Sequence, residues 1–245
     1  MPMQNSSQSV IPSTFDSTYG VRLWVKQALQ AKTKGTSELY NNLLQQLRDL
    51  KGEAARGQFE PILSDLLYAI IQSVSILDDQ IHRALIHEIM DLSVWRNSKV
   101  IRQPLLELVT HMVVANGSMA DLCMQLLVSS LFIMKPPQAS EDLCTSFGWE
   151  PKPEELIIQD DVLACLRKII LLVPTAPPRL IQLAAASSPH KTAPLDVQCM
   201  YLRALASLAE GPGGATVRDG LLAAIVNQLI CIDVEIKWQD IVDAM

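Results

Sequence analysis

Apolar residues recur along most of this 245-residue chain at intervals of three and four, the spacing of helices with one buried face. The first clear stripe is Ile62, Leu63, Leu66, Leu67, Ile70, Ile71 and Val74, inside Phe59–Leu77. Pro61 falls in its first turn, where a missing N–H does no harm. Asp79 is expected to open the next helix, with Ile81, Leu85, Ile86 and Ile89 on its apolar side. Ser98–Ala115 and Ser118–Met134 read as a second pair, divided by Asn116-Gly117, a good helix stop. Residues 135–153 hold Pro136, Pro137, Pro151 and Pro153, break the periodicity and read as a loop. The pattern resumes behind Glu154-Glu155, acids in a first turn where the helix dipole favours them. Val162, Leu163, Leu166, Ile169, Ile170 and Val173 form that stripe.

Punctuation is sharper beyond this point. Thr175-Ala176-Pro177-Pro178 closes one helix and opens another, Ser187-Ser188-Pro189-His190-Lys191 closes that one, and Pro194 opens a third. Within Leu195–Ala209 the expected buried side is Leu195, Cys199, Leu202, Leu205, Ala206 and Ala209, with Asp196 and Arg203 on the wet side. After the turn Gly211-Pro212-Gly213-Gly214, the last stripe is Val217, Leu221, Leu222, Ile225, Val226 and Leu229. No stretch alternates convincingly as a strand, so the chain is expected to be all-α. Taken as pairs, the helices start near residues 61, 98, 157 and 194, spacings of 37, 59 and 37. The middle spacing falls to about 40 if residues 135–153 are an insertion, and pairs returning at such intervals point to a HEAT/armadillo-like helical-repeat solenoid. The organisation expected is a disordered polar tail over 1–20, then a helical-repeat domain over 21–245 with a Pro-rich loop insertion at 135–153.

Composition agrees with helix packed on helix. Apolar residues are 49% of the chain and aromatics only 5%, so the interior is mainly Leu, Ile, Val and Ala. A net charge of −6 argues against a protein that coats itself in nucleic acid, and no direct sequence-specific nucleic-acid contact is expected. Charge is uneven: residues 1–57 hold seven Lys/Arg against four Asp/Glu. Those basic residues (Arg22, Lys26, Lys32, Lys34, Arg48, Lys51 and Arg56) are spread out and read as solvated helix faces. Of Cys123, Cys144, Cys165, Cys199 and Cys231, all but Cys144 fall in apolar helical stretches, as buried reduced thiols do. No run of 18 apolar residues exists and the N-terminus lacks a leader pattern, so neither membrane insertion nor secretion is expected.

Chemistry-bearing constellations do not emerge. His82 and His87 are five apart and face different ways; they, His111 and His190 read as surface or boundary histidines. Gly211-Pro212-Gly213-Gly214 lacks the Gly-Lys-Ser/Thr of a phosphate loop. Asp78-Asp79 and Asp160-Asp161 sit at helix starts, and Trp24, Trp95, Trp149 and Trp238 are scattered without interleaved basic residues. No catalytic, cofactor or metal set is predicted, so an enzyme is not expected and no cofactor is assigned. Residues alone lead to a helical-repeat adaptor that binds proteins.

The order of certain segments is more specific. Leu-Arg-Lys-Ile-Ile-Leu-Leu-Val-Pro-Thr-Ala-Pro (166–177) is followed by Pro189-His190-Lys191, by Tyr201-Leu202-Arg203-Ala204-Leu205, and by Cys231-Ile232-Asp233-Val234-Glu235-Ile236. Upstream, Met90-Asp91-Leu92-Ser93-Val94-Trp95 precedes the helical stretch Leu106–Val114. This succession resembles the RNA polymerase I-specific transcription initiation factor family. The resemblance implies a HEAT-repeat protein of the nucleus and nucleolus. Such a protein binds RNA polymerase I and links it to promoter-bound core initiation factors at ribosomal RNA genes. It also implies a serine-bearing surface at which phosphorylation turns polymerase binding off. The loop serines available are Ser118, Ser187 and Ser188, with Lys191 beside the latter two; as helix-end residues they equally suit capping. Family members are normally more than twice this long, which leaves a fragment, a truncated gene model and a short paralogue open; a homodimer is open as well. A helical stack ending near Met245 is expected to leave an apolar face uncovered.

Overall fold

A computed structural model of the chain describes residues 18–54, 59–132 and 150–233. Most of the predicted tail, Arg56, most of the Pro-rich insertion with Cys144 and Trp149, and residues 234–245 with Trp238 lie outside the described residues. Within the described residues every regular element is helical, in agreement with the all-α expectation. The α-helices are α1 Thr18–Thr33, α2 Glu38–Ala54, α3 Glu60–Ile71, α4 Arg83–Met90, α5 Lys99–Ala115, α6 Ala120–Ser129, α7 Pro153–Leu172, α8 Ala176–Ala186, α9 Leu195–Glu210 and α10 Arg218–Asp233. The chain divides into two compact units, one through Glu88 and one from Ile89.

In the first unit, α1 packs on α2 and α3. Helix α1 starts at Thr18, three residues inside the stretch assigned to the tail. It buries Val21, Val25, Ala28 and Leu29, and α2 buries Tyr40, Leu43, Leu44, Leu47 and Leu50, the spacing of a single helix face in each case. The break before α4 is organised by Asp78 rather than Asp79. Its Oδ1 accepts from the N–H groups of Gln80 and Ile81, both at 2.9 Å, and those bonds, that of Ile81 first, hold its carboxyl below the usual range. Helix α4 therefore starts later than expected, and Ile81 is left exposed.

His82 corrects the surface reading of the histidines: it is 0% exposed. Its Nδ1 accepts from the Asp78 N–H at 3.0 Å, so Nε2 carries the proton and donates to the Leu29 carbonyl at 3.1 Å. The ring lies against Tyr40, whose hydroxyl accepts from the Leu85 N–H at 3.1 Å. Arg48 and Lys51 of α2 both reach the Glu88 carboxylate, at 2.6 and 3.4 Å, and the Arg48 bond foremost keeps that carboxyl below its ordinary value.

The second unit is built from two rows of parallel helices. Near the start of α5, Arg102 pairs with Asp161 of α7 at 2.9 Å; further along, Thr110 meets Cys165 at 3.1 Å. Helices α7 and α9 follow the same rule, with Gln159 donating to the Met200 carbonyl at 2.8 Å and Arg167 to the Ser207 carbonyl at 2.9 Å. In the other row, Arg179 near the start of α8 meets Asp121 near the start of α6 at 2.7 Å. At their far ends Phe132 packs edge-on to Tyr201, which donates to the Ala184 carbonyl at 2.7 Å. Helix α10 continues this row against α8.

Several boundaries differ from the periodicity reading. Helix α6 stops at Ser129, and Leu131 and Phe132 are buried beyond its end. Gln159 donates to the freed Leu131 carbonyl at 2.7 Å, and Trp95 to the Ser130 carbonyl at 2.9 Å. The buried side of α9 is Val197, Gln198, Met200, Tyr201, Ala204, Leu205, Leu208 and Ala209, so Leu205 and Ala209 lie on it as expected. Leu195 is 57% exposed, Cys199, Leu202 and Ala206 are half-buried, and so are Asp196 and Arg203. The expected stripe is rotated because α9 packs on both α7 and α10. The α9–α10 turn is a turn as expected, and glycine is obligatory within it: a Cβ on Gly214 would stand 2.4 Å from the Ala209 carbonyl oxygen. On α10 Leu221 is buried, but Leu222, Val226, Leu229 and Ile230 are exposed.

His82 ties a part-buried N–H to a buried carbonyl. His82→Leu should lower stability by about 1–3 kcal/mol, because a part-buried N–H and a buried carbonyl each lose a partner. Urea denaturation checks this; a change under about 0.5 kcal/mol would mean those groups find other partners.

Candidate partner-binding surface

The loop between α8 and α9 carries three of the four predicted surface residues, and two buried glutamines decide its shape. Gln228 of α10 donates to the Pro189 carbonyl at 2.9 Å and to the Gln198 side chain at 2.7 Å. Gln198 donates in turn to the His190 carbonyl at 2.7 Å. Ser188 completes the set by donating its hydroxyl proton to the Gln228 side-chain oxygen. Each donor in this chain is matched to an acceptor, so the loop is held against α9 and α10. Ser188 is half-buried and belongs to the packing as much as to the surface.

Ser187 closes α8: its N–H donates to the Leu183 carbonyl at 2.9 Å. Its hydroxyl makes no hydrogen bond among the described residues. His190 shapes the following turn, with Nδ1 contacting the Thr192 hydroxyl at 2.8 Å, and Lys191 is exposed. Between this loop and α10 lies a cleft of about 400 Å³, whose lining includes Ser188, Lys191, Tyr201, Asn227 and Cys231. Burial pushes the Tyr201 phenol above its ordinary value, an effect the nearby Ser188 hydroxyl partly opposes.

Ser118 is elsewhere. It is exposed in the turn before α6, where the Asn116 side chain accepts from its N–H at 3.1 Å and from its hydroxyl at 2.8 Å. Asn116 is therefore the cap and Ser118 the capped residue. Because α6 and α8 run parallel, Ser118 at the start of one and Ser187, Ser188 and Lys191 past the end of the other stand at opposite ends of the pair. The structure brings three of the candidates together and separates the fourth. Gln198 and Gln228 were not singled out from the sequence; the available signal was a polar residue at a position of the helical period that faces the core.

The cysteines divide. Burial first of all pushes the Cys123 thiol up to about 12 and Cys165 to about 11, as inert core thiols. Cys199 is half-buried and Cys231 exposed, so the core reading fails for Cys231, on the outer side of α10. Among the described residues no group of three or more His, Cys, Asp or Glu is placed to hold a metal ion. No helix among them is long and apolar enough to cross a membrane.

Comparison with known proteins gives a family match. The family model described as RNA polymerase I specific transcription initiation factor RRN3 matches residues 16–244. No curated protein and no solved structure matches the chain.

A phosphate on Ser188 would place nearly two negative charges in a half-buried site and remove the proton that Gln228 accepts. Ser188→Asp should accordingly lower stability by about 1–3 kcal/mol while Ser118→Asp changes it by less than about 0.5. Thermal melts of the two variants check the contrast; equal melting temperatures would show that the Ser188 bond holds nothing in place.

Proposed function

The chain belongs to the RNA polymerase I-specific transcription initiation factor family, and from that membership we propose that it binds RNA polymerase I and links it to promoter-bound core factors. Its work is then initiation on ribosomal RNA genes, in the nucleus and chiefly the nucleolus. The observation that carries this reading is the extent of the match, residues 16–244, nearly the whole of the chain.

The body that does this is, in our reading, a HEAT-like helical-repeat domain over residues 21–245, with 135–153 inserted between repeats. The parallel rows α5–α7–α9 and α6–α8–α10 support it, since stacked helix pairs of one repeat type align in this way. Such stacks hold helix-end turns in rows, surfaces suited to a large protein partner. Ser118, Ser187, Ser188 and Lys191 lie on turns of this kind, and phosphorylation there is the proposed means of switching polymerase binding off. The physical routes differ by site. At Ser118 and Ser187 a phosphate adds charge to a turn that keeps its packing, whereas at Ser188 it would also release the loop from Gln228.

The chain, expressed with an affinity tag and recovered from nuclear extract, should retain RNA polymerase I subunits in excess over those of polymerases II and III. Soluble bait that brings down no polymerase I would sink the binding proposal. Ser187→Asp, which leaves the Gln228 hydrogen bonds in place, should reduce that retention several-fold; undiminished retention would remove the α8–α9 loop from the interface.

A further inference from the structure

Helix α1 differs in charge from its surroundings. Across Thr18–Thr33 it contains Arg22, Lys26 and Lys32 and no acidic residue, in a chain whose net charge is −6. Its inner face is the apolar set that packs on α2 and α3. Its outer face presents Tyr19, Arg22, Leu23 and Lys26, at helical intervals of three, four and seven from the first, on one side of the cylinder. Tyr19 is 75% exposed and Leu23 45%, and both cations are exposed as well.

Three other basic groups of the same unit have partners. Arg48 and Lys51 share Glu88, while Lys32 donates to the Ser37 hydroxyl at 3.3 Å and lies 5.3 Å from the centre of the Tyr40 ring. Arg22 and Lys26 form no ion pair among the described residues. Two uncompensated cations thus flank an exposed leucine on a helix whose opposite face is firmly packed.

We propose that this face of α1 is a docking surface for an acidic protein segment that carries an apolar anchor. Carboxylates would pair with Arg22 and Lys26, and the anchor would cover Leu23 and Tyr19. Partner helices in grooves are read through anchors at this same spacing, with charge setting orientation and encounter rate. Nucleic acid suits the face less well. Two cations on one turn-and-a-bit of helix neutralise few phosphates, and a phosphate backbone offers Leu23 nothing to pack on. The inference does not depend on the polymerase reading.

The test is fluorescence anisotropy on the full chain with a fluorescein-labelled amphipathic peptide of Glu, Ala and Leu, its leucines at helical spacing. The peptide should bind, more weakly as salt rises, and Arg22→Glu combined with Lys26→Glu should weaken it by about tenfold or more. Leu23→Ser should weaken it at unchanged salt dependence. All three side chains are exposed, so an unchanged melting temperature verifies that the variants are folded. Failure of the native chain to bind the peptide, or equal binding by the charge-reversed variant, would overturn the proposal. Tighter binding of labelled duplex DNA that is lost on the same reversal would overturn it too, in favour of a nucleic-acid face.

Discussion

An interior made of aliphatic side chains contains no hydrogen-bond donors of its own, so a polar side chain sent into the core must find a backbone carbonyl there to receive its protons. That constraint governs this molecule. His82 meets the Leu29 carbonyl, Gln159 those of Leu131 and Met200, Arg167 that of Ser207, Tyr201 that of Ala184, and Gln228 that of Pro189. Each of these residues joins two different elements, and a buried donor left without its acceptor would cost about 1–3 kcal/mol. The helices are therefore set at fixed heights along one another by a few polar contacts, and apolar burial fills in between.

The same economy shapes the surface. Ser188 is exposed enough to be noticed in a sequence, yet its hydroxyl is the last donor of the Gln228 chain, so local chemistry at that position is coupled to the seating of α10. Ser118 lacks this coupling because Asn116 does the capping. Residues of one type and one apparent context thus differ in what a charge placed on them would do. The reason is whether the hydroxyl bonds to its own turn or to another helix.

Two faces remain without partners among the described residues. The outer side of α10 exposes Leu222, Val226, Leu229 and Ile230, and the helix is apolar nearly all round, a composition usual for buried helices. The outer side of α1 instead combines cations with two apolar side chains. One face suits burial by a further apolar surface and the other an acidic one, so they do not compete for the same kind of partner.

Helix content, the position of most breaks and the family were legible in the chain itself. Local rules govern them: Asn116-Gly117 stops a helix, Pro153 and Glu155 start one, and the ordered motifs from Met90 to Ile236 point to the family that the model match bears out. The first two helices carry the same periodicity, at Val21, Val25, Ala28 and Leu29 and from Tyr40 to Leu50, but neither stripe was singled out from the sequence. Tertiary packing alone decided the rest. It rotated the buried face of α9 from Leu195 and Cys199 to Val197, Met200 and Tyr201, because two neighbouring helices compete for its circumference. It moved His82 into the core and placed Gln198 and Gln228 under a loop. A one-dimensional period records that a helix has a face to bury; which neighbour covers it, and which carbonyl a polar side chain finds there, exists only once distant segments meet.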